Sequence, residues 1–166
     1  MVLASFIVWN ILNLIVMNLR INDKHLVRND MLDMRNRIVS FVHGLLIMLM
    51  SGYNTYFAHS QCGEGNNTYE ELIMAIGCGY FLYDLTAMAF LGLLDTQMLI
   101  HHCICITGFG FGLCTGNAAD ILVGCTFITE ISNPAMHIRV VLKHMGLRYT
   151  KAYETSELTY MRKVNL

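Results

Sequence analysis

His101 and His102 stand side by side in MLIHHCICITGFGFG (98–112), a run with no charge and no proline. Histidine is the side chain that takes and returns protons near neutral pH. A carboxylate beside it can hold its tautomer and stabilise its cation. Two carboxylates lie in equally apolar surroundings, Asp84 in GYFLYDL and Glu130 in TFITEISNP. Ionisable groups in such runs usually face a bundle interior or a water-filled cavity. Removing a proton from an amine or hydroxyl would activate it for acyl transfer. The same residue types could bind a metal through nitrogen and oxygen, or simply hydrogen-bond helices together. These alternatives stay open on the residues alone. The spaced histidine boxes of membrane di-iron enzymes are absent, and no metal is assigned.

Something must position these groups, and the composition says it is a bundle in lipid. Hydrophobic residues make up 55% of the 166 residues and charged residues only 14%. Mean hydropathy is +0.47. A chain so short of charge cannot cover a sphere with polar surface; globular domains carry about 25% charged residues. Membrane helices need about 20 mostly apolar residues. Five candidates follow, at 2–19, 38–58, 71–94, 97–114 and 118–139, giving an all-α multi-pass bundle. The first lacks the basic start and cleavage site of a signal peptide, so it reads as a retained helix.

Charge asymmetry orients the bundle. Residues 20–37 hold five of the eleven lysines and arginines, and 139–166 hold the other six. With five helices both segments fall on one side, and the positive-inside rule makes that side internal. The N-terminus is then outside and the C-terminus inside. Asn66-Asn67-Thr68 is a glycosylation sequon in an outer loop, close to both helix ends. None of the six cysteines forms a C-x-x-C pair, so a zinc or redox framework is not expected. Four or five of them read as small apolar residues inside helices, and Cys62 and Cys114 could pair on one membrane side. No basic aromatic patch or phosphate cradle appears, so nucleic acid is not an expected partner.

Depth then groups the polar residues. Ser40 and His43 enter with the second helix, and Arg37 shares their face at a spacing of three. Tyr83 and Asp84 fall past the middle of the third, and Tyr80 is four residues before Asp84. His101 and His102 lie in the second turn of the fourth, about 100° apart around its axis, so at most one faces the site centre. Glu130, Asn133 and His137 make one stripe of the fifth. Pro134 leaves the Glu130 carbonyl without its helical donor. Four helices thus place polar groups in one layer, opening to the inside. Arg37 and Arg139 snorkel towards headgroups. Catalytic candidates are His101, His102, Asp84 and Glu130. Binding candidates are Ser40, His43, Tyr80, Tyr83, Asn133, His137, Arg37 and Arg139.

RNRIVSFVHG (35–44), GYFLYDL (79–85), MLIHHCICITG (98–108) and EISNPAMHIRVVLKHMG (130–146) together resemble the TLC-domain family, in the family's order. That family includes ceramide synthases, translocating-chain-associated membrane proteins and TLC-domain-containing proteins with an E-x-x-N-P pattern. The resemblance divides the chain into an N-terminal helix and basic loop (1–29), a partial TLC domain (30–157) and a tail (158–166). It implies lipid handling: ceramide synthases transfer an acyl group from acyl-CoA to a sphingoid amine, and their double histidine matches His101 and His102. Acyl-CoA as substrate, a bound phospholipid and membrane lipids as partners follow from it, as does the endoplasmic reticulum, with the mitochondrial inner membrane as alternative. Two departures favour another reading. The acids that follow the double histidine in ceramide synthases have no counterpart before Asp120, and the closing YETSELTYMRKVNL cannot span a bilayer. The alternative is a non-catalytic membrane subunit that reuses the fold as a scaffold among other subunits.

Overall fold

A computed structural model describes residues 1–20, 26–58 and 64–164; Cys62, and with it the Cys62–Cys114 pairing, lies outside the described residues. All the regular structure described is helical: α1 (Val2–Asn18), α2 (Arg28–Tyr53) running into a π-helical turn (Asn54–Ala58), α3 (Thr68–Leu91), α4 (Thr96–Thr115), α5 (Ala119–Glu130), α6 (Asn133–His144) and α7 (Lys151–Val164).

Local chemistry sets several of these ends. Asn67 caps α3 by accepting from the backbone N–H of Tyr69 and Glu70, while Glu70 accepts from the N–H of Asn67. This reciprocal capping box satisfies donors that a helix start leaves open. Gly92, at φ 70°, ends α3 in the left-handed conformation that costs glycine nothing. Three residues later Asp95 caps α4 through the N–H of Met98.

α3 is the central post, packed against α1, α2, α4 and α5. Ile73, Met74 and Tyr83 on it are fully buried. Its contact with α1 is close: a Cβ on Gly79 would sit 2.5 Å from the Ser5 side chain and 2.8 Å from the Phe6 backbone nitrogen. Ser5 Oγ uses that closeness to donate to the Ile76 carbonyl at 3.0 Å. Arg35 of α2 donates to the Val16 and Met17 carbonyls, capping the end of α1.

Among the described residues, three helices are long and apolar enough to cross a membrane: α2 with its π-turn, α3 and α4. α1 is equally apolar at 17 residues. Ile7, Val8, Ile11 and Ile15 on α1, and Ile100, Ile104 and Phe111 on α4, are exposed. Surface of that kind and extent suits lipid rather than water.

Two elements differ from the sequence reading. α2 begins at Arg28, ten residues before the apolar window at 38, so part of the expected connecting segment is helical. Asp33 and Arg37 pair across one turn on its half-exposed side, while Met34 and Asn36 are buried. The expected single helix over 118–139 is two, α5 and α6, separated by a turn at Ile131–Ser132. Pro134 is the cause: without an N–H it cannot continue α5, but it suits the first turn of a new helix.

Candidate functional site

The break between α5 and α6 opens a cleft of about 350 Å³ against α2, α3 and the start of α4. Ser40, His43, Tyr80, Asp84, His101, His102, Glu130, Asn133 and His137 all line it. Tyr83, Arg37 and Arg139 do not. Tyr83 is fully buried behind the wall, Arg37 is held by both Asp33 oxygens at 3.0–3.1 Å, and Arg139 lies 3.6 Å from Glu157 on α7.

The most ordered part is a hydrogen-bonded chain through Asp84. Tyr83 donates its hydroxyl proton to Asn36 Oδ1 at 3.2 Å, and Asn36 Nδ2 donates to Asp84 Oδ1 at 2.9 Å. Asp84 Oδ2 lies 2.9 Å from His102 Nε2. His102 Nδ1 faces the Met98 carbonyl one turn back. A carbonyl only accepts, so Nδ1 carries hydrogen. One further proton therefore lies between Nε2 and Asp84 Oδ2. Both ring nitrogens of His102 are thus committed within the protein, and the residue is 1% exposed.

His101 is different. One residue on, it points around the helix to the rim, exposed, with its ring edge-on to Phe81 and to His102 at 5.6 Å in each case. The only polar atom close to its nitrogens among the described residues is the Cys105 thiol, at 3.8–3.9 Å. Of the two histidines, this is the one with nitrogens accessible to a ligand. His43 is held flat against Tyr80, ring centroids 3.5 Å apart, with Trp9 edge-on to both. Its Nε2 has no hydrogen-bond partner among the described residues, and neither has His137 Nδ1.

Across the cleft, Asn133 Nδ2 donates to Glu130 Oε2 at 2.8 Å. Gly44 allows this carboxylate to lie against α2: a Cβ there would be 3.4 Å from Glu130 Oε2. A second, more apolar cavity of about 330 Å³ runs between α4 and α5, lined by Ile104, Cys105, Gly108, Phe109, Leu122 and Thr126 among others. Phe81, His101 and Glu130 line both. Polar cleft and apolar groove therefore adjoin, with His101 and Glu130 at the junction. Among the described residues no three His, Cys, Asp or Glu side chains are arranged to hold a metal.

Sequence reasoning missed Asn36, Trp9, Phe81, Gln97, Met98 and Met136. Asn36 carried a usable signal: it sits four residues before Ser40 and so on the same helical face. Trp9 and Phe81 gave none, because an aromatic residue in an apolar helix reads as packing.

An all-helical bundle with apolar spans and a polar cleft among them is an integral membrane architecture. The particular family follows from comparison. Residues 29–161 match the TLC domain, and the chain belongs to the TLC-domain family. It is 26% identical over 129 residues to TLC domain-containing protein 2 of Danio rerio, covering 74% of this chain and 52% of that protein. It is 28% identical over 116 residues to TLC domain-containing protein 4-B of Danio rerio, covering 67% of this chain and 44% of that protein. The chain thus spans about half the length of the curated relatives it matches. No solved structure matches.

Proposed function

We propose that this TLC-domain chain handles a membrane lipid, with the polar head in the histidine cleft and a hydrocarbon chain in the α4–α5 groove. The carrying observation is that the two cavities share Phe81, His101 and Glu130. An amphiphile needs one polar and one apolar compartment in contact, and this pair supplies both. The two basic segments support an orientation with the cleft end on the internal side and the N-terminus outside. The endoplasmic reticulum is the proposed location and the mitochondrial inner membrane the alternative.

Acyl transfer is the reaction class these groups suit. His101 would take the proton from an attacking hydroxyl or amine as it bonds to the thioester carbonyl of an acyl-CoA. The CoA thiolate would leave and take up that proton. Asp84 would hold His102 in place, and His102 would support the wall on which His101 stands. Arg37 and Arg139 would meet headgroups at the margin. In the wider reading, such turnover or binding alters membrane lipid composition.

The saturation of both His102 nitrogens favours a second reading, a non-catalytic subunit in which the double histidine is structural. Native mass spectrometry of the full chain, extracted gently from its own membrane, separates the two. The lipid reading expects a small species carrying one lipid adduct, lost on filling the groove with Gly108→Trp. Appearance only within a larger assembly, with no lipid on the chain, would overturn it in favour of the scaffold.

A further inference from the structure

Resting on the lipid reading above, we infer that the head taken into the cleft is an uncharged, hydroxyl-bearing one, as in a diacylglycerol, and not a phosphate or an ammonium. The charges in the cleft carry the first half. Its described lining includes the carboxylates of Asp84 and Glu130 and four imidazoles, but no lysine or arginine. The nearest arginines lie outside the lining, Arg37 beside Asp33, Arg35 on the α1 carbonyls and Arg139 beside Glu157. The Asp84–His102 pair, holding two protons between them, offers no net positive charge, so a phosphate entering here would meet the Glu130 carboxylate with no lysine or arginine in the described lining, in a setting of low dielectric where such repulsion is poorly screened. Recognition of phosphate normally rests on the opposite arrangement.

An ammonium fails for a different reason. It would have to compete for these carboxylates with donors that they already hold. Asp84 spends one oxygen on Asn36 and the other on His102, and Glu130 accepts from Asn133. The groups left wanting are nitrogens. His43 is 2% exposed and lines the cleft, yet its Nε2 has no partner among the described residues; His137 Nδ1, also of the lining, has none either. Neutral imidazole offers a donor or an acceptor according to tautomer, and a hydroxyl answers either. Stacking on Tyr80 fixes the His43 ring and so fixes where that hydroxyl must come.

The test is lipid competition on the full chain in detergent micelles, read by native mass spectrometry. The equimolar panel is dioleoylglycerol, its O-methyl ether, dioleoylphosphatidylglycerol and a long-chain 2-amino alcohol. Dioleoylglycerol should be retained about tenfold over each of the others, within the range expected when one buried hydrogen-bonding group is left unpaired. His43→Phe keeps the stack and removes the nitrogen; it should bring the alcohol and its methyl ether to within about twofold. Should that variant not fold, the wild-type comparison of alcohol and ether decides alone. Equal or better retention of the phospholipid, the amine or the ether overturns the inference while leaving lipid handling intact. Retention of no lipid at all overturns both.

Discussion

Asp84 is where a single atom exchange tests the site most sharply. Asp84→Leu strands His102 Nε2 and Asn36 Nδ2, both buried and both now bonded to the carboxylate at 2.9 Å. At about 1–3 kcal/mol for each buried group left without a partner, the loss comes to about 2–6 kcal/mol. Breaking one side of a buried ion pair gives a matching range of about 3–5 kcal/mol. For a chain of this size that is a fall of about 6–20 °C in melting temperature. Asp84→Asn should behave differently. Its amide oxygen can accept from Asn36 and its NH2 can donate to a neutral His102 Nε2, while Nδ1–H stays on the Met98 carbonyl. Every hydrogen bond survives and only charge assistance is lost, worth about 1 kcal/mol. The protein supplies its own probe. Trp9 is the sole tryptophan, buried, and edge-on to His43 and Tyr80 in the cleft wall. Thermal unfolding in detergent, followed by its emission, should place Asp84→Asn within a few degrees of wild type and Asp84→Leu far below. If the asparagine variant falls as far as the leucine one, the pair depends on charge rather than hydrogen bonding. If leucine is harmless, the chain from Tyr83 to Met98 is not what holds the cleft.

The two histidines should separate in the same way. His102→Ala is expected to cost about 2–5 kcal/mol through the vacated Asp84 oxygen and lost packing, whereas His101→Ala should melt within about 1 kcal/mol of wild type, as rim substitutions do, yet lose any lipid turnover. Equal melting of the two would refute their division of labour. Gly79→Ala drives a Cβ to within 2.8 Å of α1 backbone, so it should destabilise by about 1–3 kcal/mol or more and shift Trp9 emission to the red as α1 loosens; an unshifted spectrum with wild-type stability would refute that packing. The Asn66 sequon should carry no glycan in cells, because its side chain donates to the Gly112 carbonyl and accepts from the Ala119 N–H. A mobility shift on treatment with a glycan-removing amidase would show this clamp is open.

Much of the site was readable before any coordinates because helical spacing is rigid. Residues three and four apart had to share a face, which joined Ser40 to His43, Tyr80 to Asp84 and Glu130 to Asn133. The 100° step between His101 and His102 separates their directions, though both line the cleft, one buried and one exposed. What stayed hidden depended on the course of the chain between windows. Asn36, the link between Tyr83 and Asp84, lay in a charged stretch with nothing apolar enough to mark a helix. Yet α2 reaches back to Arg28, where burial of Met34 and the bonds of Asn36 to Tyr83 and Asp84 of α3 outweigh the polar composition. Arg37, expected on the face of Ser40 and His43, is drawn to Asp33, a carboxylate within its own helix. At Pro134 the lost donor was legible, but not that the chain would turn and widen the cleft there.

The Asn66 clamp also bears on when the bundle can close during synthesis. Its three hydrogen bonds, to the carbonyls of Gly112 and Gly116 and from the N–H of Ala119, all reach forward along the chain, by 46 to 53 residues for those made by its side chain. When α3 has just been made, none of these partners exists. The hairpin of α3 and α4 supplies the Gly112 and Gly116 carbonyls, and the clamp is complete only once translation has passed Ala119. Until then the groove between α4 and the space α5 will fill stands open along its whole length. α5 supplies Leu122, Cys125, Thr126 and Thr129 to that groove, so the groove takes its final shape only after the hairpin of α3 and α4 exists.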